Sequence, residues 1–385
     1  MKKIITIIVL FTSAQVFGDD LISIRVFSHL KISSISFVIE NSSYKVTGDD
    51  KLLTTVNKYN VFKLSMINDS ISIRTFENNY GKFRRISFTA VNDSGELKLK
   101  LIDPERKPRI YQNNFSVNTE DGYLRLLNIV KLDNYIGGVV EAESGTRSTP
   151  EFYKVQAILA RTFALAHINK HVLEGFSLCD QVHCQAYYGK PKFNEIFTAM
   201  ETTKGKVVVD ENLSLITAAF HSNSGGQTAN SEDVWGSRTS YLRSVNDSFS
   251  VKMPNYKWER KMPVDDWLSY LKLKHNYPID NPVAKETALN FRQDTRKVYL
   301  EASYVKVPLK NVRQDLQLKS TFFSISNAND TVTFKGKGYG HGLGMCQEGA
   351  MKMTKLGYSY NDVLNFYFRN IQIIDMQKLN FFRDE

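Results

Sequence analysis

Two glutamates, Glu141 and Glu143, lie between an apolar run and a predicted helix start, within the sequence VVEAESG. A carboxyl group can protonate a leaving oxygen near neutral pH when burial raises its pKa. Glycoside hydrolases normally pair that acid with a second carboxylate. Residues two apart in an extended segment point to the same face, so Glu141 is a candidate partner for Glu143. The pair permits acid catalysis on a glycoside, but a loop acid taken alone does not establish it.

A second group of residues has the types and spacing of a metal site. Cys179, His183 and Cys184 form a C-x3-HC cluster, and His171 lies eight residues before Cys179. Thiolate and imidazole ligands suit tetrahedral Zn²⁺. A Cys179–Cys184 disulfide closing a short loop is the alternative in an oxidising compartment, and two free thiols are the third possibility. A zinc ion with four protein ligands would be structural and would brace the loop beside the expected substrate cleft.

These residues require elements to position them, and a helix is predicted directly after the glutamates. Ser148-Thr149-Pro150-Glu151 provides an N-cap, a proline in the first turn and an early acid, so a helix should run to about Lys170. At 100° per residue the apolar side chains fall on one face, whereas Lys154 and Arg161 share the opposite side. This predicts a helix with one buried face and one basic stripe.

The C-terminal segment predicts two further helices. One should follow Cys346, continue to Leu356 and end at Gly357, and the next should be capped by Ser359 with Asp362 and run to Phe368. Before these helices, the sequence from His221 to Gly226 indicates a strand end that opens into a glycine turn.

The first eighteen residues indicate export. Lys2 and Lys3 precede an apolar run from Ile4 to Phe11, and small or neutral residues lead to Gly18. This is the pattern of a secretory signal peptide over residues 1–18, with a buried N-terminal strand as the alternative. The run is too short for a permanent membrane span, and no later segment is long and apolar enough. We therefore expect a periplasmic, envelope or extracellular protein.

Composition and charge are those of a globular protein. The 385 residues have 42% hydrophobic and 23% charged side chains, which excludes a disordered or fibrous chain. Fifty basic against forty acidic residues give +10, and without the two lysines of the leader the balance is 48 against 40, or +8. Such a charge suits an anionic partner. The predicted export of the protein argues against nucleic acid as that partner.

Residues 19–108 should form a β-rich accessory region. Ser23–Phe27, Ile35–Ile39, Ser70–Thr75 and Arg85–Val91 have strand patterns separated by polar turns. Pro104 and Pro108 mark a boundary, after which Tyr123–Lys131 indicates a further strand before the helices begin. The predicted organisation is α+β, with a mixed catalytic region over residues 109–385.

Four ordered stretches resemble the SpoIID/LytB family, the stage II sporulation protein D group of peptidoglycan lytic transglycosylases and amidase-enhancer relatives. They are LDNYIGGVVEAESGTRSTPEFYKVQAILARTFALAH, LCDQVHCQAYYG, HSNSGGQTANSEDVWGSRTSYLRSV and GKGYGHGLGMCQEGAMKMTKLGYSYNDVLNFYF. The resemblance covers roughly Ile110 to Ile374. It implies a catalytic role for Glu143 in cleaving the MurNAc-β-1,4-GlcNAc bond of peptide-poor glycan strands.

A lytic transglycosylase needs one acid rather than two. The resemblance therefore assigns both proton transfers to Glu143, with a 1,6-anhydro sugar as the product. It also implies substrate binding by Lys154 and Arg161, because Arg can hold the lactyl carboxylate of muramic acid bidentately. A structural ion pair from Arg161 to Glu143 or Asp133 is the alternative.

The resemblance implies further sugar contacts and partners. His221, Ser224, Tyr241 and His341 are assigned to the substrate, the last within a glycine-rich wall of the cleft. Trp235 is expected to pack in the core, with sugar stacking as the alternative. Some family members bind zinc at the positions of His171, Cys179, His183 and Cys184. A non-catalytic protein that binds peptidoglycan and activates a cell-wall amidase is the second functional hypothesis, and a zinc-braced envelope module is the third.

Overall fold

The computed structural model describes residues 21–145, 147–302 and 304–381, so the predicted signal peptide at 1–18 lies outside the described residues. The chain forms two compact units that divide between Asn134 and Tyr135. The boundary expected near Pro108 is therefore too early. The reason is that the three strands after Pro108 pair with strands of the N-terminal unit.

The N-terminal unit consists of β-strands. They are β1 (Leu21–Val26), β2 (Ser34–Asn41), β3 (Tyr44–Gly48), β4 (Lys51–Val56), β5 (Val61–Ile67), β6 (Ser70–Arg74), β7 (Asn79–Phe83), β8 (Arg85–Ala90), β9 (Glu96–Asp103), β10 (Arg109–Gln112), β11 (Asn114–Glu120) and β12 (Tyr123–Lys131). The strand segments predicted in this region are confirmed. One sheet has the order β1-β12-β11-β8-β3-β4 and the other β10-β9-β2-β5-β6-β7.

The two sheets of this unit pack face to face through aromatic rings. Phe37 of β2 lies with its ring centroid 4.8 Å from that of Phe88 and 4.9 Å from that of Phe115, which belong to the other sheet. Phe62 of β5 meets Phe88 edge to face at 5.4 Å. Alternation of apolar and polar side chains directs these rings inward, so the unit is a β-sandwich with an aromatic core.

Helix α1 (Leu132–Ser144) follows the last strand and leads into the mixed C-terminal unit. The later elements are α2 (Pro150–Ala166), β13 (Leu178–Cys179), α3 (Asn194–Thr202), β14 (Lys206–Val209), β15 (Phe220–His221), α4 (Ser231–Trp235), β16 (Lys257–Pro263), α5 (Val264–His275), α6 (Pro282–Leu289), β17 (Tyr299–Ala302), β18 (Val305–Pro308), α7 (Leu309–Asp315), β19 (Phe323–Ala328), β20 (Thr331–Lys337), β21 (Met345–Cys346), α8 (Gln347–Lys355), α9 (Tyr360–Tyr367), β22 (Gln372–Asp375) and α10 (Met376–Phe381). The α+β fold class is confirmed.

Helix α2 lies in the interior of the C-terminal unit. Its start is as predicted, since the side chain of Thr149 accepts a hydrogen bond from the Phe152 amide and Pro150 occupies the first turn. The predicted basic stripe is wrong, because residues on nearly all sides of the helix are buried, including Arg161. Apolar periodicity identified one buried face, but packing by α3, β14, α8 and α9 covers the others as well.

The C-terminal helices match their prediction. Helix α8 ends before Gly357, whose φ is +94°, and Ser359 and Asp362 form a reciprocal capping box at the start of α9. A separate apolar cluster around Trp267 joins α5, α6 and α7 to the sheet β16-β20-β19. Within the described ranges, no helix has both the length and the apolar character needed to cross a membrane.

Candidate active site

Glu143 lies in the last turn of helix α1, not in a loop. The helix ends at Ser144, and Gly145 follows with a φ of +65°. The sequence did not predict this helix, because Gly137 and Gly138 weaken helix propensity. Tertiary packing supplies the missing stabilisation, since Tyr135, Ile136, Val139 and Val140 are buried.

The segment 184–192 packs tightly against α1 and holds the carboxyl group. A Cβ added to Gly138 would come within 2.2 Å of the Gly189 carbonyl oxygen and 2.5 Å of the Tyr187 ring. Glycine at this position therefore allows the close approach. At the end of the helix, the Ala186 N–H donates a 2.9 Å hydrogen bond to Oε1 of Glu143. No described residue hydrogen-bonds to Oε2.

The environment favours the protonated form of Glu143. Burial raises the pKa of this carboxyl group, and the hydrogen bond from the Ala186 amide opposes the shift without cancelling it. The negative end of the α1 dipole also disfavours a carboxylate in the last turn. Glu143 is thus a carboxyl group with a raised pKa, held through one oxygen, whose other oxygen has no hydrogen-bond partner among the described residues.

Glu141 is not a partner aligned with Glu143. Its Oε2 accepts a 2.6 Å hydrogen bond from the Lys192 amide, six residues beyond the amide that binds Glu143. The expected alignment assumed an extended segment, whereas residues two apart in a helix point about 200° apart. The two carboxyl groups therefore fix two ends of the same segment against α1.

The basic residues of helix α2 are engaged with the protein. Nη1 of Arg161 donates to the carbonyls of Thr203 at 2.8 Å and Lys206 at 3.1 Å, and the side chain is 0% exposed. A substrate contact by Arg161 is incompatible with this buried position. Nζ of Lys154 lies 2.6 Å from the Glu151 carboxylate on a half-buried surface.

Ser224 and Tyr241 are also interior residues. Oγ of Ser224 donates to Asp247 at 2.7 Å and lies 2.7 Å from Oγ of Ser250. The hydroxyl of Tyr241 accepts from the Thr217 amide at 2.9 Å. These residues are 0% and 8% exposed, so they join loops to one another and offer little or no surface to a sugar. The expected substrate contacts are corrected accordingly.

His221 and His341 lie side by side, with ring centroids 5.6 Å apart. Nδ1 of His221 donates to the Leu343 carbonyl at 3.0 Å, while its buried Nε2 has no partner among the described residues. Nδ1 of His341 accepts from the Leu343 amide, and a backbone hydrogen bond to Phe220 engages this ring too. Burial lowers the pKa of His341 to about 4, so both imidazoles are neutral at pH 7.

Trp235 differs from its expected core position. Its side chain is 48% exposed, and its ring lies 6.2 Å from that of His341 beside a cavity. The sequence also did not single out Arg296 and Arg313, which line the same cavity. Both arginines lie outside the four stretches that carry the family resemblance. The Ala186 amide that binds Glu143 is a backbone group that has no sequence signal.

The predicted metal ligands come together. One ligand atom from each of His171, Cys179, His183 and Cys184 lies within 4.8 Å of the others. Sγ of Cys179 is 3.4 Å from Nδ1 of His183, and Sγ of Cys184 is 3.4 Å from Nε2 of His171. Tetrahedral Zn²⁺ with ordinary bond lengths separates its ligands by about 3.4–3.8 Å, so the donor set fits zinc.

The surroundings of this cluster also suit a metal site. Nδ1 of His171 pairs with the Glu174 carboxylate, an interaction that typically orients a histidine ligand. The pKa of Cys184 is lowered to about 6, mainly by a hydrogen bond from Cys179, whose own thiol pKa is raised. All three cysteines of the chain are free thiols here. Cys184 lies two residues before the Ala186 amide that binds Glu143.

Comparisons with known proteins identify relatives of this chain. The family model described as Stage II sporulation protein matches residues 120–209, which include Glu143 and the Cys/His cluster. Stage II sporulation protein D of Bacillus subtilis (strain 168) is 30% identical over 260 residues, covering 63% of this chain and 74% of that protein. The protein of the same name from Bacillus amyloliquefaciens has the same identity and coverage.

A further relative has a different name. An amidase enhancer of Bacillus subtilis (strain 168) is 27% identical over 388 residues, which cover 87% of this chain and 52% of that protein. The chain thus spans about half the length of this relative. Taken with the matches to stage II sporulation protein D, these findings show that the chain belongs to the SpoIID family.

Proposed function

We propose that this protein is a peptidoglycan lytic transglycosylase that cleaves the MurNAc-β-1,4-GlcNAc bond of glycan strands, with Glu143 as its single acid and base. Family membership and the amidase-enhancer relative support a role related to the cell wall. The observation that supports the catalytic proposal is Glu143 itself, a carboxyl group with a raised pKa and one oxygen to which no residue in the described part of the chain hydrogen-bonds.

The proposed reaction uses one carboxyl group twice. Glu143 first donates its proton to the bridging oxygen as the bond from C1 to that oxygen breaks. The resulting carboxylate then accepts the proton of the C6 hydroxyl while that oxygen bonds to C1. The product is a 1,6-anhydro end, Glu143 is again protonated, and no water is consumed. Glu141 has no step in this scheme, which agrees with its contact to the Lys192 amide.

Zinc bound by His171, Cys179, His183 and Cys184 is part of the proposal. With four protein ligands the ion would supply structural bracing rather than a nucleophilic water. The braced residues begin the segment that carries the Ala186 amide, and that amide holds the orientation of the Glu143 carboxyl group. The proposed role of the cluster is therefore positional.

The test is digestion of peptide-free glycan strands in H₂¹⁸O. The proposed enzyme should release products with unlabelled 1,6-anhydro ends, Glu143→Gln should abolish cleavage, and Glu301→Gln should cleave normally. Glu301 is a suitable control because it forms an exposed pair with Lys306. Reducing ends that carry ¹⁸O would instead identify a hydrolase and refute the proposed reaction.

The amidase-enhancer relative favours a second candidate function. In that case the protein would bind peptidoglycan and stimulate a cell-wall amidase without cleaving glycan. Glu143→Gln separates the two functions, since stimulation of an amidase should survive this substitution while transglycosylase activity should not. Absence of cleavage by the unmodified protein, with amidase stimulation intact in both forms, would support the second function.

A further inference from the structure

A cavity of about 200 Å³ lies beside the ring of His341, and we refer to it as the basic pocket. Its charged side chains are those of Asp233, Arg296, Lys297, Lys310 and Arg313, four cations and one acid. The single acid is already hydrogen-bonded, because Nδ2 of Asn230 donates to Asp233 at 3.1 Å. The pocket thus carries an excess of positive charge.

The two arginines of the basic pocket have no carboxylate partner among the described residues. Arg296 donates to the carbonyls of Gln227 and Ser224, both at 2.6 Å, and these neutral acceptors fix its position. Nε of Arg313 is shielded from solvent and has no hydrogen-bond partner in the described part of the chain. Buried cationic groups are normally paired, so this arrangement calls for an anion.

The electrostatics of the two arginines are consistent with anion binding. Burial lowers the pKa of Arg296 to about 10 and also lowers that of Arg313, and the positive charge of Arg313 adds to the shift of Arg296. Lys310 lies three residues before Arg313 on α7, so both side chains project from one side of this helix. An anion between them would satisfy both cations.

Aromatic groups border the same pocket. Trp235 is 48% exposed, which is unusual for the largest apolar side chain, and it lines the pocket near His341. A small inorganic anion would make no packing contact with an exposed indole, whereas the apolar face of a sugar ring packs on an indole. The cavity is also smaller than pockets that enclose drug-sized ligands.

We propose that the basic pocket binds one acidic sugar, whose carboxylate contacts Arg313 and Lys310 and whose ring packs on Trp235. The choice of N-acetylmuramic acid as the ligand rests on the proposed function, but the recognition of a carboxylate-bearing sugar does not. This site is separate from Lys154 and Arg161, whose contacts are made within the protein.

Calorimetric titration of the Glu143→Gln protein tests the pocket without turnover. N-acetylmuramic acid should bind, and N-acetylglucosamine, which lacks the lactyl carboxylate, should bind at least about tenfold more weakly because a charge-assisted contact is lost. Arg313→Gln in the same background should weaken the acidic sugar about tenfold or more. Arg313→Lys should recover part of the loss, and Lys306→Gln, an exposed control, should change nothing.

Tryptophan fluorescence locates the ligand. The acidic sugar should change the emission, and Trp235→Phe should remove that change, because the other two tryptophans, Trp258 and Trp267, do not line the pocket. Equal affinity for the neutral sugar, equal affinity for inorganic phosphate, or an unchanged affinity in folded Arg313→Gln would overturn the proposal. If the sugar bound but the unmodified protein cleaved no glycan, the proposed reaction would be refuted and the proposal for the basic pocket would remain supported.

Discussion

The carboxyl group of Glu143 must be protonated to donate a proton, and its location has an energetic consequence for the whole protein. Burial raises its pKa above the ordinary value of 4.5. Ionisation in the folded state is therefore harder than in the unfolded state, so stability is lost as the pH rises through the folded pKa. A residue suited to acid catalysis should thus destabilise the fold above that pH.

We expect Glu143→Gln to be more stable than the unmodified protein at pH 7, with the difference shrinking as the pH falls through the raised folded pKa and lost below pH 4.5. Thermal unfolding measured across this pH range checks the prediction. Glu151→Gln is the matched control of opposite sign. Although burial alone would raise the pKa of Glu151, Lys154 and the Tyr360 amide lower it, so the native carboxylate stabilises the fold at neutral pH. A pH-independent difference for Glu143→Gln would contradict this account.

Arg161 provides a second prediction at the scale of a single residue. Arg161→Lys should destabilise the protein by about 1–3 kcal/mol, because a lysine cannot reproduce the guanidinium contacts to two buried carbonyls. Denaturant unfolding of the variant measures this cost. Lys154→Gln should change stability by only about 0.2–1 kcal/mol, because its ion pair with Glu151 is near the surface. If both variants changed the stability by the same small amount, Arg161 would behave as a surface residue, as the predicted basic stripe requires.

At the scale of elements, the position of Glu143 depends on helix α1 and the segment packed against it. Gly138 permits close contact with Tyr187 and Gly189, and the Ala186 and Lys192 amides bind the two glutamates of the helix. A helix alone would leave the carboxyl group free to rotate in solvent. The segment 184–192 both buries it and binds one oxygen, which determines its pKa and its direction.

Metal removal tests whether zinc stabilises the segment 184–192, which begins at the Cys/His cluster. If zinc braces this segment, the purified protein should contain about one zinc per chain, and a chelator or Cys179→Ser should lower both the melting temperature and the rate of glycan cleavage. Elemental analysis and differential scanning calorimetry measure these quantities.

Thiol counting distinguishes zinc from a disulfide at this cluster, and elemental analysis distinguishes zinc from two free thiols. The chain has three cysteines, so alkylation of the denatured, chelated protein should modify three thiols if the site binds zinc. A Cys179–Cys184 disulfide would leave Cys346 as the single reactive residue. Absence of metal together with one modified thiol would overturn the zinc proposal.

At the scale of the whole molecule, the local patterns predicted local structure well. Alternating β-branched and apolar residues identified strands such as Arg85–Ala90, and capping residues identified the starts of α2 and α9. The ends of these elements are determined by neighbouring residues, so the sequence carries the information directly. The Cys/His grouping was likewise predictable, since its members are close in the chain and share one chemistry.

The division of the molecule was harder to predict from sequence. Pro104 and Pro108 marked a local change in composition, but the strands after them complete the N-terminal sheets through pairing with distant strands. Strand pairing is a long-range property, and a proline between two strands does not reveal whether the second returns to the same sheet. The compact units consequently separate after Asn134.

The sequence by itself determined the family, the α+β class, the identity of the candidate acid and the members of the candidate zinc site. Tertiary structure alone decided which polar residues face solvent. Arg161, Ser224 and Tyr241 have the chemistry of ligand contacts but are buried, whereas Trp235 has the chemistry of a core residue but is exposed. Residue type and spacing specify what a side chain is able to bind, but burial depends on elements that are distant in the chain and pack from other directions.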